Sequence, residues 1–402
     1  MRLLVISHMP HYFCDGQIVG WGPTVKEISW LARVFDNITH VAFSGHGPAP
    51  RAVLEYDTDK VEFVLLPPSG GLTLWDKLRV ILYAPKYLAA ILRNMPKADV
   101  IHVRCPCSIA LYAIVLLRFV RRKQRWAKYA GDWVQTGRMP ISFIFQRWWL
   151  QKGLSRGPVT VNGRWKDQPS HVFSFVNPST TLQEVRGARS LSLNKRLGKP
   201  ARLVFVGRTQ TAKGLGVALE ILQGLVPRFP GLHLDVLGDG PERPRFEQMS
   251  VHLGLTEKVK FHGWLPHDRV LDFLARSHFI LLPSASEGWP KVLSEAMTYG
   301  VVPIASDVSA IPQILEETQA GVALPATDVA AFVEAIGEMI QDPVKWKRMS
   351  RAGIDAAPMF TYQRYLIALD DMFTSAYGSS PLKQDVMAEI RQQFESYLSE
   401  IG

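Results

Sequence analysis

Short apolar runs rich in β-branched residues recur along the chain, and stretches with helical spacing follow them. In the first half these runs read RLLVIS, HVAFS, VEFVLL, DVIHV, PVTVN and HVFSF. Strand patterns alternating with helix patterns predict a doubly wound parallel α/β domain. After Ser190 the stretch LSLNKRLGKPAR is polar, basic and poor in apolar residues, as a linker is. A second series then follows, ARLVFVG, LHLDVLG, KVKFHG, HFILLP and VVPIAS, punctuated by Gly and Pro. The pattern predicts two Rossmann-like domains, over residues 1–190 and 201–357, joined by a linker at 191–200. Residues 358–402 carry helical patterns and no strand, which predicts terminal helices that cross back to the first domain. Ligands of open α/β sheets bind outside the strand C-termini, so the functional site is expected in a cleft between two such sets.

Size agrees with more than one core: the chain has 402 residues, 47% of them hydrophobic. Its longest uninterrupted apolar run, Ile109 to Leu117, falls far short of the roughly 20 residues that span a bilayer as a helix. The N-terminal MRLLVIS reads as a buried strand rather than a secretory segment, so a cytoplasmic location is expected. Three cysteines, Cys14, Cys105 and Cys107, form no paired framework. The Cys105-Pro-Cys107 stretch lacks the further Cys or His of a zinc site, so reduced thiols and no metal are expected.

Charge changes the picture once it is divided. Residues 1–200 hold 28 Lys and Arg against 12 Asp and Glu, a net of +16, whereas the remainder has 18 against 24, a net of −6. The first half is therefore expected to face something anionic. Its densest cluster, RFVRRKQRWAK from Arg118 to Lys128, reads as an amphipathic basic helix, and WDKLRVILYAPKYLAAILRNMPK is a second candidate. With Trp148, Trp149 and the neighbouring ISFIF, these stretches favour reversible, peripheral binding to the anionic inner face of the plasma membrane. The other reading is a pair of helices packed on a sheet with solvated outer faces. Nucleic acid is not expected, because basic residues do not interleave with stacking aromatics in a recognised module.

Candidate chemistry concentrates in the second half. In SEGWPKVLSEAMTYG, Glu287-Gly288-Trp289 turns out of a strand, Pro290 suits the first helical position, and Gly300 suits the residue past the helix end. The predicted helix covers 290–299. Its leading N–H groups, at Lys291, Val292 and Leu293, make a seat for a phosphate. Glu287 and Glu295 bracket that seat, either as acceptors for sugar hydroxyls or as a surface charge and a helix salt bridge. In VFVGRTQTAKG, Arg208 and Lys213 follow a strand end, where a guanidinium and an ammonium could together neutralise a diphosphate. The turn VLGDGPER places Gly238 and Gly240 where a nucleotide base could lie, although turn chemistry alone also accounts for it.

In the first half, GWGPTVKEI is a glycine turn that opens a helix. It lacks the third glycine of a dinucleotide fingerprint, and the stretch from Ser7 to Gly20 is too long for a turn directly after strand one, so NAD is not expected. ADVIHVRCP ends a strand with His102 and Arg104 on one side, and Asp132 follows the next strand. A histidine so placed is either a ligand contact or a hydrogen-bonded core residue.

The order and spacing of VGRTQTAKG, VLGDGPE, VKFHGWLPHDRVLDFLARSHFILLPS and SEGWPKVLSEAMTYG resemble the second domain of the GT-B glycosyltransferases of family 4. The likeness is close from about Leu203 to Gly321, whereas the first half shares only the strand pattern, the glycine loop and His102. The resemblance implies a retaining, metal-independent transfer from a nucleotide-diphosphate sugar, with no further cofactor, and a first domain that selects a glycan or lipid-linked acceptor. It implies that Glu287 contacts the donor sugar, Glu295 the ribose, and Arg208 and Lys213 the diphosphate. Gly22, Gly238, Gly240, Leu265 and the stretch Gly288, Trp289, Pro290, Lys291, Val292 and Leu293 would complete the donor site. His102 would assist catalysis, and Arg104 and Asp132 are acceptor-side candidates. Relatives often carry a histidine where Arg104 stands, and a glycine pair where Pro23-Thr24 stands. Two other readings are a soluble GT-B enzyme with a small metabolite acceptor and a non-catalytic module that binds anionic surfaces.

Overall fold

The structure is a computed structural model that describes residues 1–50, 52–71, 73–134 and 139–401. The chain forms two compact units, Met1–Val176 with Tyr362–Gly402, and Asn177–Thr361.

The first unit runs β1 (Arg2–Cys14), β2 (Gln17–Trp21), α1 (Gly22–Val34), β3 (Asn37–Ser44), β4 (Val53–Glu55), β5 (Val61–Leu66), α2 (Leu74–Leu82), α3 (Ala84–Asn94), β6 (Val100–Cys105), α4 (Ser108–Leu117), β7 (Gln124–Tyr129), α5 (Ile141–Gln151), β8 (Val159–Asn162) and β9 (Val172–Phe175). Its parallel strands lie in the order β5-β3-β1-β6-β7-β8-β9. Leu3 to Ile6 are all buried because both faces of β1 are covered. Leu4, Ile6, Ile101 and Val103 pack under α3, α4 and α5, and Leu3, Val5 and Val100 pack under α1 on the opposite face.

Two stretches depart from expectation. Residues 7–20 are not a long loop: β1 continues to Cys14, turns at Asp15 (φ 50°) and Gly16 (φ 80°), and pairs antiparallel with β2. An Asp-Gly pair with both φ angles positive is the two-residue turn whose twist matches a hairpin. The stretch from Arg118 to Lys128 is not a basic helix. α4 ends at Leu117, a turn follows, and QRWAKY is the interior strand β7. Arg125 is buried and pins that turn, its Nη1 donating to the carbonyls of Leu117 (2.7 Å) and Val120 (2.8 Å). Lys128 is buried too, with its Nζ 2.9 and 3.0 Å from the carboxylate of Glu27 on α1.

The second unit runs α6 (Leu182–Leu193), β10 (Arg202–Val206), α7 (Leu215–Leu225), β11 (His233–Leu237), α8 (Arg243–His252), β12 (Val259–Gly263), α9 (His267–Arg276), β13 (Phe279–Leu282), α10 (Lys291–Thr298), β14 (Val302–Ser306), α11 (Ile311–Thr318), β15 (Val322–Leu324), α12 (Val329–Gln341) and α13 (Pro343–Ala356). Its six parallel strands lie in the order β12-β11-β10-β13-β14-β15. Chain order reverses between β10 and β13, which makes their C-terminal ends the switch point of the sheet.

The division between units falls after Val176, earlier than the expected linker at 191–200. That polar stretch is packed onto the second unit. Ser192 Oγ donates to the Thr298 carbonyl (3.1 Å), and Lys195 Nζ donates to the carbonyls of Leu274 and Ser277 (2.9 Å each). Its polarity serves helix and strand ends rather than solvent. After residue 361 the chain returns to the first unit as α14 (Tyr362–Tyr377) and α15 (Gln384–Ile401). Tyr365, Leu366 and Phe373 join the α1 face of the core, and the Tyr362 ring stacks on Trp30 with centroids 5.5 Å apart.

Candidate functional site

Loops at the C-terminal ends of β10, β11, β12 and β13 carry the residues that sequence reasoning singled out, and glycines let those loops touch. Gly214 has φ +78°, and a Cβ there would lie 1.9 Å from the Pro283 carbonyl oxygen. The loop after β13 is thereby held against the loop after β10, with Ala285 N–H donating to Ala212 O (3.0 Å) and Ser284 Oγ to Lys213 O (3.3 Å). On the other side, Gly238 (φ +126°) lies so close that a Cβ would meet the Gly207 carbonyl at 2.0 Å. The Thr209 N–H donates to Asp239 O (3.2 Å), and Thr211 N–H to Glu242 Oε1 (2.9 Å). Gly240 sits against Thr209, whose buried Oγ1 has no hydrogen-bond partner among the described residues.

Within this frame Lys213 and Glu287 come together across the switch point, Nζ to Oε1 at 2.6 Å, with 32% and 10% of their side chains exposed. An ammonium that remains one-third exposed keeps a face for a second anion. Arg208 is exposed one turn of loop earlier, and its side chain makes no hydrogen bond or ion pair among the described residues. α10 begins at Lys291 with Pro290 as its N-cap, one residue later than expected. The Leu293 N–H already donates to the Pro290 carbonyl (3.0 Å), which removes it from the expected phosphate seat. Glu295 lies one turn in, and its Oε1 faces His267 Nε2 at 3.2 Å, at the start of α9. Leu265 precedes that helix and is half-buried.

Trp289 is a correction of another kind. Only 3% exposed, it donates its Nε1–H to Ser294 Oγ (2.7 Å) and stacks on Phe360 with centroids 5.3 Å apart. Its ring packs the base of the loop, so only its backbone and that of Gly288 remain to meet a ligand. Glu242, Thr209 and His267 also belong to these loops; each lies within a quoted motif, but nothing in the spacing distinguishes it from turn chemistry.

The first-unit candidates are more deeply engaged. His102 is fully buried, with its ring stacked 4.0 Å from that of Trp126 and Nδ1 3.5 Å from the Trp126 carbonyl. Burial, with Arg104 adding to it, pushes its pKa well below the ordinary histidine value. Such a neutral core imidazole touches no open surface, which contradicts a direct catalytic contact in this conformation. Arg104 lies on the same side of β6, as alternation requires, but it is bound: Nη1 donates to Glu27 Oε1 at 2.6 Å. Glu27, 1% exposed, thus receives Arg104, Lys128 and the Tyr365 hydroxyl (3.4 Å), as a buried carboxylate must to offset its desolvation. Asp132 is buried and accepts from Val134 N–H (3.0 Å). Gly22 opens α1 and gives its own N–H to the Ala52 carbonyl (3.2 Å).

Comparison with known proteins bears on the second unit most directly. Residues 193–356 match the family model "Glycosyl transferases group 1". The α-D-kanosaminyltransferase of Streptomyces kanamyceticus is 27% identical over 192 residues, 47% of this chain and 49% of that protein. A D-inositol 3-phosphate glycosyltransferase of Corynebacterium urealyticum is 25% identical over 216 residues, covering 50% and 51%. The chain thus spans about half the length of the curated relatives it matches. Among solved structures, sucrose-phosphate synthase from Thermosynechococcus elongatus superposes with TM-score 0.69 over 94% of this chain and 99% of that one, at 19% identity. The Anabaena HepE protein in complex with UDP and glucose gives TM-score 0.65 over 93% and 99%, at 15% identity. Residues 193–356 are thus similar to the glycosyl transferases group 1 domain, on a chain with the two-unit, Rossmann-like GT-B fold.

Proposed function

We propose that the chain is a retaining glycosyltransferase that moves a sugar from a nucleotide-diphosphate donor to a hydroxyl of a lipid-linked or polysaccharide acceptor at the cytoplasmic membrane face. The observation that carries this reading is the Lys213–Glu287 pair at the switch point of a group 1 domain. It joins a cation suited to a phosphate and a carboxylate suited to sugar hydroxyls within one hydrogen bond. The relatives named for glycosyl transfer and the UDP and glucose in the HepE structure support a nucleotide sugar as donor.

In this mechanism the diphosphate lies against Arg208, Lys213 and the backbone at the start of α10, Glu295 holds the ribose, and Glu287 holds hydroxyls of the transferred sugar. Gly238, Gly240 and Leu265 border the nucleoside. An acceptor hydroxyl attacks the anomeric carbon from the face on which the donor C–O bond breaks, and its proton passes to the departing phosphate oxygen. Arg208 and Lys213 stabilise the charge that grows on that oxygen without a resident metal or further cofactor. Losing one such contact typically costs about 3 kcal/mol of transition-state stabilisation, roughly a hundredfold in rate.

The test is release of nucleoside diphosphate from a panel of nucleotide sugars, with the product's anomeric configuration read by NMR. Arg208→Ala and Lys213→Ala are each expected to lower turnover at least about a hundredfold with unchanged circular dichroism. Full activity in both variants, or an inverted product, contradicts the assignment.

A further inference from the structure

The first unit carries a surface that the donor site does not use. α2 spans nine residues, and none of its described side chains is fully buried. Trp75, Leu78, Ile81 and Leu82 are 64%, 47%, 70% and 65% exposed. Positions 75, 78 and 82 share one side of a helix, and 81 adjoins them. A helix this short is marginal by itself in water. α2 is held by a capping box, Thr73 with Asp76, and by the Tyr112 hydroxyl on the Val80 carbonyl (2.8 Å). Its apolar side faces away from those supports and lacks a cover among the described residues.

The same pattern recurs on α5, in the helical layer over the same sheet face. Ile141, Ile144 and Trp148, again spaced i, i+3, i+7, are 85%, 48% and 47% exposed. Between the two helices in sequence, the turn after α4 exposes Phe119 with Arg121 and Arg122. The basic stretch that is not a helix thus still contributes a cationic turn to this side of the sheet.

Charge selects the occupant. Residues 74–152 hold 15 Lys and Arg against three acids, Asp76, Asp99 and Asp132. Asp76 is engaged in capping α2, Asp99 accepts the Arg2 N–H, and Asp132 is buried. No glutamate occurs between Glu62 and Glu184. Exposed Lys77, Arg79, Lys86 and Arg93 flank the apolar stripe of α2 and its continuation into α3. A stripe of large apolar side chains with tryptophans at its ends, edged by cations and free of acids, suits a headgroup layer: the rings and aliphatics enter the acyl boundary and the cations meet anionic lipid. A protein partner would have to match two separate stripes in shape, whereas a fluid lipid surface accepts both.

We infer that α2 and α5 dock this chain on an anionic membrane by inserting Trp75, Ile81, Leu82, Ile141 and Trp148. This rests on the membrane-proximal acceptor of the proposed function, but its test does not need that acceptor. The whole chain is floated with vesicles of phosphatidylcholine alone and of phosphatidylcholine mixed with phosphatidylglycerol, at low and high salt. Binding is expected only with phosphatidylglycerol, weakened by salt, and at least tenfold weaker in Ile81→Asp/Leu82→Asp and in Ile141→Asp/Trp148→Asp. Val251→Asp, an equally exposed apolar residue of the second unit (62%), should bind as the parent does. Three results overturn the inference: no binding at low salt, binding unaffected by the two aspartate pairs, or a parent dimer that those pairs dissolve. Nucleoside diphosphate release without vesicles, measured on the same proteins, separates the two proposals. Retained release with lost docking locates the defect at the surface, and docking without any release counts against the transferase reading alone.

Discussion

At the scale of single residues the chain solves one problem twice, in opposite ways. Glu27 is buried and surrounded by two cations and a phenol, so its charge serves to hold α1 on the sheet. Glu287 meets one ammonium and stays partly open, so its charge remains usable. The histidines of the first unit show the cost of burial without such partners. Burial lowers His11 to about 4, and holds His40 and His102 well below 6.5. Each is therefore neutral when folded and takes up a proton in the unfolded chain once pH falls below 6.5. The unfolded state then binds more protons, so the stabilisation present above pH 6.5 is lost as pH falls towards 4. For His11 alone the loss is about 2 kcal/mol by about pH 5. Urea melts at neutral pH and at about pH 5 should show it, and an unchanged unfolding free energy would contradict the neutral, buried assignment.

At the scale of elements, the loops at the strand ends of the second unit depend on glycines more than on side chains. Gly214→Ala must both hold a left-handed φ and displace the Pro283 carbonyl, and is expected to cost at least about 2 kcal/mol. Gly254 has a similar φ of +71° with nothing within 4 Å of a Cβ, so Gly254→Ala should cost only about 1 kcal/mol. Thermal melts of the two proteins make the comparison, and equal losses would show that the loop contact does not matter. Elements also show where sequence was readable. α10 was legible to within a residue, because Pro290 and Gly300 bracket it. β7 was not, because Arg125 and Lys128 sit at buried strand positions, and a strand with buried cations mimics a basic helix. The β1–β2 hairpin had a usable signal in Asp15-Gly16, but β1 runs through polar positions to Cys14 and conceals its length.

At the scale of the whole molecule, the two-sheet α/β plan was legible because runs such as LLVI and FILL are long, apolar and regularly spaced. The unit boundary was not, since a polar stretch bound to helix ends reads like a solvated linker. As positions, Lys213 and Glu287 were legible within their motifs, and the structure brings the two together from 74 residues apart. The side-chain roles of His102 and Trp289 were not, because motif spacing does not report burial. The central claim is that the strand ends of the second unit hold a nucleoside diphosphate. It is tested most directly by calorimetric titration of the parent, Lys213→Ala and Arg208→Ala with uridine, adenosine, guanosine and thymidine diphosphates. Binding of at least one nucleotide to the parent, weakened at least tenfold in both variants, is the predicted result; binding that both variants retain undiminished, or none by the parent, would contradict it.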